Sequence, residues 1–260
     1  GEVFIVGGTE SMSHMPLYFS EHAAAKFAAM SRARDFTGRA KAMLNFRPAD
    51  FAPVIGLKLG LTDPVSNLNM GQTAEVLARE FGITRDMQDA FAMRSHLRAT
   101  QANHLLNQEI APVLGKNIVS TDNGIRSDSS LEKLAKLKPL FDTLTGSVTA
   151  GNSSQITDGA VALLVATEEA AAAHGWKPLG RLVSYAATGC DPVRMGLGPV
   201  RAIDAALHRG GWKLDDADVI EINEAFAVQV LAVMKCLADP ASARRAGLEA
   251  PLGEIDPAKI

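Results

Sequence analysis

Asn223-Glu224-Ala225-Phe226 brings a side-chain amide, a carboxylate and an aromatic ring together in consecutive positions. Before it, Ala217-Asp218-Val219-Ile220-Glu221-Ile222 alternates apolar residues and reads as a short strand. After it, residues 225 to 237 read as a helix, with Phe226, Val230, Val233 and Leu237 at helical spacing. Asn223 is therefore expected at a strand-to-helix junction, where its amide either caps the helix or donates a hydrogen bond into a cleft above the sheet. Asn123-Gly124-Ile125-Arg126 reads as a loop presenting Arg126, and Thr149 to Ala160 is rich in small and hydroxyl residues that let a ligand approach main-chain amides. The two cysteines, Cys190 in a Gly-Cys-Asp-Pro turn and Cys236 inside the helix, lack the spacing of a zinc site or disulfide framework. Structural roles are expected for both, in a reducing compartment.

The elements that must position these groups alternate. Val3 to Val6 and Val161 to Ala166 are wholly apolar runs, as expected of strands covered on both faces, and Arg181 to Ala187 reads as another strand. Helices are expected over 71 to 81, stopped by Gly82; from a Thr84 cap to about Leu106; over 130 to 137; over 168 to 174, stopped by Gly175; and over 199 to 209. Alternation from 161 onward indicates an α/β fold with helices on both faces of a sheet, and residues 20 to 158 read as a helix-rich subdomain inserted over it. Within it, residues 20 to 47 interleave Lys26, Arg32, Arg34, Arg39, Lys41 and Arg47 with Phe27, Met30, Phe36, Met43, Leu44 and Phe46. Such a segment suits an anionic membrane or a phosphate-bearing ligand, or is a solvated helix lying on its own protein, and Gly38 is a candidate interruption. A chain of 260 residues, 47% apolar and 21% charged, has an ordinary globular composition with a sizeable core. Its formal charge of −3 gives no electrostatic reason to expect a nucleic-acid partner. No apolar run reaches the length of a membrane span, and the first residues read as a strand rather than a secretion signal.

Several stretches in order resemble the thiolase family. Gly7-Gly8-Thr9-Glu10-Ser11-Met12-Ser13 is similar to its G-G-x-E-S-M-S loop, and Met70-Gly71-Gln72-Thr73-Ala74-Glu75 to its M-G-x-T-A-E helix start. Gln88 to Ala92 with Ser95, Lys136 to Phe141, Thr149 to Gly159, Gly196 to Pro199 and Asn223 to Ala227 complete the set. The resemblance implies a layered α-β-α-β-α fold, here partial, with a mainly helical inserted loop subdomain. The implied division is residues 1–18, the end of a first α/β half; 19–158, the CoA-binding loop subdomain, with a basic insertion at 20–55; 159–175, the last strand and helix of that half; and 176–260, the start of a second half.

Thiolases exchange an acyl group between a 3-ketoacyl-CoA and CoA through a cysteine thioester. By match to the family, Asn223 is the catalytic residue here, holding a water in an oxyanion hole. The positions matching the family's CoA site are Leu61, Met70, Arg126, Phe141, Ala150, Ser154, Ile156 and Phe226. CoA or acyl-CoA is expected as substrate, with no covalently bound cofactor and no metal. The family's nucleophilic Cys precedes the G-G-x-E-S-M-S loop, and its G-H-P histidine and C-x-G-G-x-G cysteine follow N-E-A-F. The sequence is therefore read as an internal part of a thiolase, inactive by itself. Asn69 and Lys133 depart from short-chain biosynthetic members, which carry His and Ser there. The Thr121 to Arg126 stretch, the basic insertion and the tail from Asp239 favour a fatty-acid β-oxidation thiolase, although that subgroup usually carries His where Asn223 stands. The alternatives are an acetoacetyl-CoA thiolase and a non-catalytic acyl-CoA-binding lipid carrier. The resemblance also implies a homo-oligomer, partner-subunit or peripheral membrane contact through 20 to 47, and a bacterial cytoplasmic or mitochondrial matrix location.

Overall fold

The computed structural model describes residues 1–260. In chain order its elements are β1 (Val3–Ser11), β2 (Leu17–Tyr18), α1 (Glu21–Arg32), α2 (Phe36–Leu44), β3 (Val54–Ile55), α3 (Gly56–Gly60), α4 (Met70–Phe81) and α5 (Arg85–Glu109). There follow β4 (Val113–Leu114), β5 (Ile118–Val119), α6 (Leu131–Ala135), β6 (Asp158–Ala166), α7 (Glu168–Ala173), α8 (Gly198–Gly210), α9 (Ala227–Ala238) and α10 (Pro240–Arg245). Short 3-10 turns occupy Pro48–Phe51, Pro192–Leu197 and Leu214–Asp216. No helix is long and apolar enough to cross a membrane.

Two compact units result: Gly1–Asn67 with Ile156–Lys177, and Leu68–Gln155 with Pro178–Ile260. They divide the chain differently from the segments read in the sequence, because the basic insertion goes with β1 and β6, whereas α4 packs on α9.

In the first unit, β1 and β6 pair antiparallel in continuous register from Val3 opposite Ala166 to Ser11 opposite Asp158. The expectation that these strands are covered on both faces does not hold within this unit. Phe4, Ile5, Val6, Leu163, Leu164 and Val165 are all exposed, and the sheet they form has two strands. The basic insertion folds as two helices. Asp35 ends the extended link after α1 and caps α2, its carboxylate accepting the Gly38 N–H at 2.7 Å, so Gly38 sits in a first turn rather than at a break. Phe19, Phe27, Phe46 and Phe51 form a small aromatic cluster, centroids 4.7 to 6.4 Å apart. Lys26 is held inside by Asp50 at 2.7 Å and by the Asn45 carbonyl at 2.9 Å. Lys26 hydrogen-bonding is the main influence holding the Asp50 carboxyl below its ordinary value.

The second unit carries the main core. α9 is apolar almost all round, and Val228, Val230, Ala232, Val233, Cys236 and Leu237 are fully buried, as a helix without a polar face must be. Leu77, Ala78 and Phe81 of α4, Val200 of α8 and Ala243 of α10 complete the surrounding layer. Two expected strands are absent from any ladder. Residues 181–187 lie along α8 instead, with Ser184 Oγ donating to the Ala206 carbonyl at 2.7 Å and Arg209 to the Tyr185 carbonyl at 2.7 Å. In 217–222 the Ile220 N–H donates to the Lys259 carbonyl at 2.8 Å, one backbone bond rather than a ladder, and Lys259 Nζ donates to the Ala217 carbonyl at 2.7 Å. The charge-rich tail from 239 contains α10, capped by Asp239.

Candidate functional site

The wall of the second unit that faces solvent near Phe226 is assembled from three separated stretches. α4 opens on a reciprocal cap in which Asn69 Oδ1 accepts the Gln72 N–H at 2.9 Å and Gln72 Oε1 accepts the Asn69 N–H at 3.0 Å. Asn69, one of the two departures from the family pattern, is thus the helix cap. Lys133, the other, forms an exposed pair with Asp128 at 2.6 Å. Met70 and Gly71 begin the helix, and Phe141 lies directly over Gly71: a Cβ there would come within 2.3 Å of its ring carbons. Only glycine lets the ring approach this closely. Phe141 meets Phe226 edge to face, centroids 6.0 Å apart, a favoured aromatic geometry.

The small-residue loop is stitched to the stretch around Phe226. Ser154 N–H donates to the Ala225 carbonyl at 2.8 Å, Ala227 N–H donates to the Asn152 carbonyl at 2.9 Å, and Ser153 bridges Phe226. Beneath it lies a buried polar network that sequence reading did not single out. The Glu75 carboxylate accepts the Ser147 and Val148 N–H groups at 2.9 and 2.8 Å. Asn152 Oδ1 accepts the Thr149 N–H at 2.8 Å, and its amide donates to Asp89 at 2.9 Å, which is paired with Arg85 at 2.7 Å. Charge-assisted bonds to backbone N–H groups fix a loop otherwise rich in conformational freedom. The signal available was that Glu75, Gln88, Asp89 and Asn152 all fall within the stretches that resemble the family's motifs.

Asn223 is exposed, and it does not cap α9. The cap position belongs to Phe226, whose extended backbone turns directly into the helix. A helix beginning at Ala227 leaves Asn223 outside its first turn, so its amide is free of the capping role. Next to it, Glu224 accepts a hydrogen bond from Ser95 Oγ. Arg126 is exposed, its backbone N–H donating to His96 Nδ1 at 3.3 Å. Burial depresses the His96 pKa; the Arg126 charge adds to this, and Glu224 opposes it. His96 was another residue that motif reading passed over.

Of the positions marked in the sequence, Met70, Phe141, Ser154 and Phe226 thus share one wall, Arg126 and Asn223 flank the Glu224–His96 cluster, and Ala150 is exposed on the same loop as Ser154. Leu61 and Ile156 belong to the first unit, where Leu61 ends α3 and Ile156 is exposed.

These features define an α/β protein whose aromatic wall and small-residue loop, drawn from distant parts of the chain, border a surface on which a ligand can lie against backbone. The signature of the thiolase N-terminal domain matches residues 1–169 and that of the thiolase C-terminal domain residues 176–243. The chain belongs to the thiolase family. It is 41% identical to a 3-ketoacyl-CoA thiolase of Pectobacterium carotovorum over 100% of this chain and 60% of that protein. It is 39% identical to the mitochondrial 3-ketoacyl-CoA thiolase of Mus musculus over 97% of this chain and 60% of that protein. Human mitochondrial 3-ketoacyl-CoA thiolase in complex with CoA has a TM-score of 0.76 and 37% identity, covering 97% of this chain and 61% of that one. An acetyl-CoA acetyltransferase from Syntrophomonas wolfei has a TM-score of 0.78 and 33% identity, covering 99% and 59%. The chain spans about 60% of the length of the curated relatives it matches.

Proposed function

We propose that this chain supplies the CoA-binding wall and one oxyanion donor of a 3-ketoacyl-CoA thiolase, an acyl-CoA acyltransferase acting in fatty-acid β-oxidation. The observation that carries this reading is the Phe141–Phe226 pair seated on Gly71 and bordered by Ser154, because it sets an apolar wall against an open backbone as a pantetheine chain requires. Met70 extends the wall, Arg126 offers a planar cation to the phosphates or adenine face, and Ala150 joins them by family match. In the reaction a thiolate attacks the ketone carbon of the 3-ketoacyl-CoA. The acetyl-CoA carbanion departs and is protonated by a second acid, and CoA then takes the acyl group from the cysteine thioester. Asn223, free of a capping role, is available to hold the water that stabilises the thioester oxyanion.

Neither cysteine of the chain suits the nucleophile. Cys236 is buried in α9, and burial pushes its thiol up to about 12. Cys190 lies in a different cleft, lined by Arg194, Arg201 and Arg245. In this reading the chain's own contribution is the wall and Asn223, and neither of its cysteines supplies the thiolate. Calorimetric titration of the chain with CoA tests the binding half of the proposal. Phe141→Ala and Phe226→Ala are each expected to weaken affinity about tenfold. Affinity unchanged by both substitutions, or a folded chain that takes up no CoA, would overturn it. The relative named acetyl-CoA acetyltransferase keeps a four-carbon substrate as the alternative, to be decided by thiolysis rates on long and short chains with the intact enzyme.

A second reading concerns α1 and α2. Phe36, Met43 and Leu44 fall on one face of α2 and are 86%, 68% and 85% exposed. Arg32, Arg34 and Lys41 are exposed nearby. This combination supports peripheral contact with an anionic membrane surface. Lys26 takes no part in it, being committed to Asp50. The exposed apolar sheet of β1 and β6 supports assembly with further copies, and the relatives support a bacterial cytoplasmic or mitochondrial matrix setting.

A further inference from the structure

The second unit holds a cleft of about 160 Å³ whose lining includes Cys190, Asp191, Arg194, Arg201, Arg245 and Gly247. Its three guanidinium groups come from three elements: the 3-10 turn at Pro192–Leu197, α8 and α10. They are not equivalent. Arg194 is neutralised by Glu80 at 2.9 Å. Arg245 reaches only the Glu80 main-chain carbonyl, at 3.3 Å. Arg201 has neither an ion pair nor a side-chain hydrogen bond. Its stem is laid along Gly247, where a Cβ would come within 3.3 Å of the Arg201 Cδ. The one carboxylate in the lining, Asp191, is engaged by the Val193 N–H at 3.0 Å as the cap of the turn. The cleft therefore presents two guanidinium groups with no carboxylate partner, and it is large enough for a tetrahedral oxyanion. Arginine forks match such an anion in geometry as well as charge.

We propose that this cleft binds a phosphate-class oxyanion between Arg201 and Arg245, as free phosphate or as the phosphomonoester of a nucleotide. The site is separate from the Phe141–Phe226 wall and does not rest on the acyl-transfer reading. Cys190 provides the reporter, because it is exposed on the cleft whereas Cys236 is buried. An anion seated there occludes the sulfur.

The test alkylates the native protein with iodoacetamide and follows Cys190 by mass spectrometry of the tryptic peptide ending at Arg194. Sodium phosphate and adenosine monophosphate are compared with sodium chloride at equal ionic strength. Either phosphate compound is expected to slow alkylation severalfold, and Arg201→Gln and Arg245→Gln are each expected to raise the half-protecting concentration about tenfold. A lower midpoint for phosphate assigns the free ion, and a lower midpoint for the nucleotide assigns the phosphomonoester. Both arginines are exposed, so the variants leave the core intact. Equilibrium dialysis with labelled phosphate gives a second reading that does not depend on the thiol. Equal slowing by chloride, or protection undiminished in both variants, would sink the proposal.

Discussion

His96 shows how a single side chain registers the site around it. The Arg126 N–H donates to Nδ1, so that nitrogen must be unprotonated, and burial together with the Arg126 charge keeps the ring neutral against the pull of Glu224. Proton-detected titration of the imidazole is expected to place its midpoint below the reference 6.5, with Arg126→Gln raising it and Glu224→Gln lowering it further. A midpoint at or above that reference in the native protein contradicts the arrangement. The sign for stability follows directly. The unfolded chain takes up the proton first, so acidification through 6.5 toward the lower folded value removes stability, and above 6.5 the group contributes nothing to the pH dependence. Residues of this kind are hard to read in a sequence. His96 belongs to no motif, and its significance comes from Arg126 and Glu224, which only the fold brings to it. Phe141 and Phe226 were marked because they fall in the motif stretches, and the fold brings their two rings together. Asn223 was legible in identity but not in setting, since whether an amide caps a helix depends on where the first turn begins.

At the level of elements, what local chemistry determines was read well and what distant partners determine was not. Thr84 caps α5, and Gly82 and Gly175 end α4 and α7 in left-handed conformations, as read; Ser130 and Thr167 cap α6 and α7 by the same chemistry, although the sequence reading did not mark them. The strands expected at 181–187 and 217–222 failed for a different reason. Alternating apolar residues announce a face to be buried, but a ladder needs a neighbouring edge, and 181–187 finds the flank of α8 instead. α9 is the element on which the second unit depends. Leu237→Ala, at a fully buried position, is expected to cost about 2–5 kcal/mol in urea unfolding. Leu105→Ala, on the exposed part of α5, is expected to stay within about 0.5 kcal/mol. Equal losses at the two positions would remove α9 from that role.

Across the whole chain, the composition suggested a sizeable core without saying where it lies, and burial is uneven: the second unit holds nearly all of it, and the first leaves apolar strands and the crest of α2 in solvent. If that crest meets lipid, Phe36→Ser with Leu44→Ser should reduce co-sedimentation with phosphatidylserine vesicles about tenfold, and neutral vesicles, which do not attract the basic residues, should retain less of the native protein than phosphatidylserine vesicles do. Equal retention by both kinds of vesicle, or no effect of the substitutions, would leave the basic insertion as an ordinary solvated helix pair. The insertion is also closed on itself. β2 and β3 pair residue for residue, Leu17 with Ile55 and Tyr18 with Val54, so the polypeptide goes out and comes back through one doorway. Behind that doorway the phenylalanine cluster and the Lys26–Asp50 latch make a self-contained room. Such a module can be shortened to a tight turn, or exchanged for another of the same width, without redrawing the plan of the house to which it is attached.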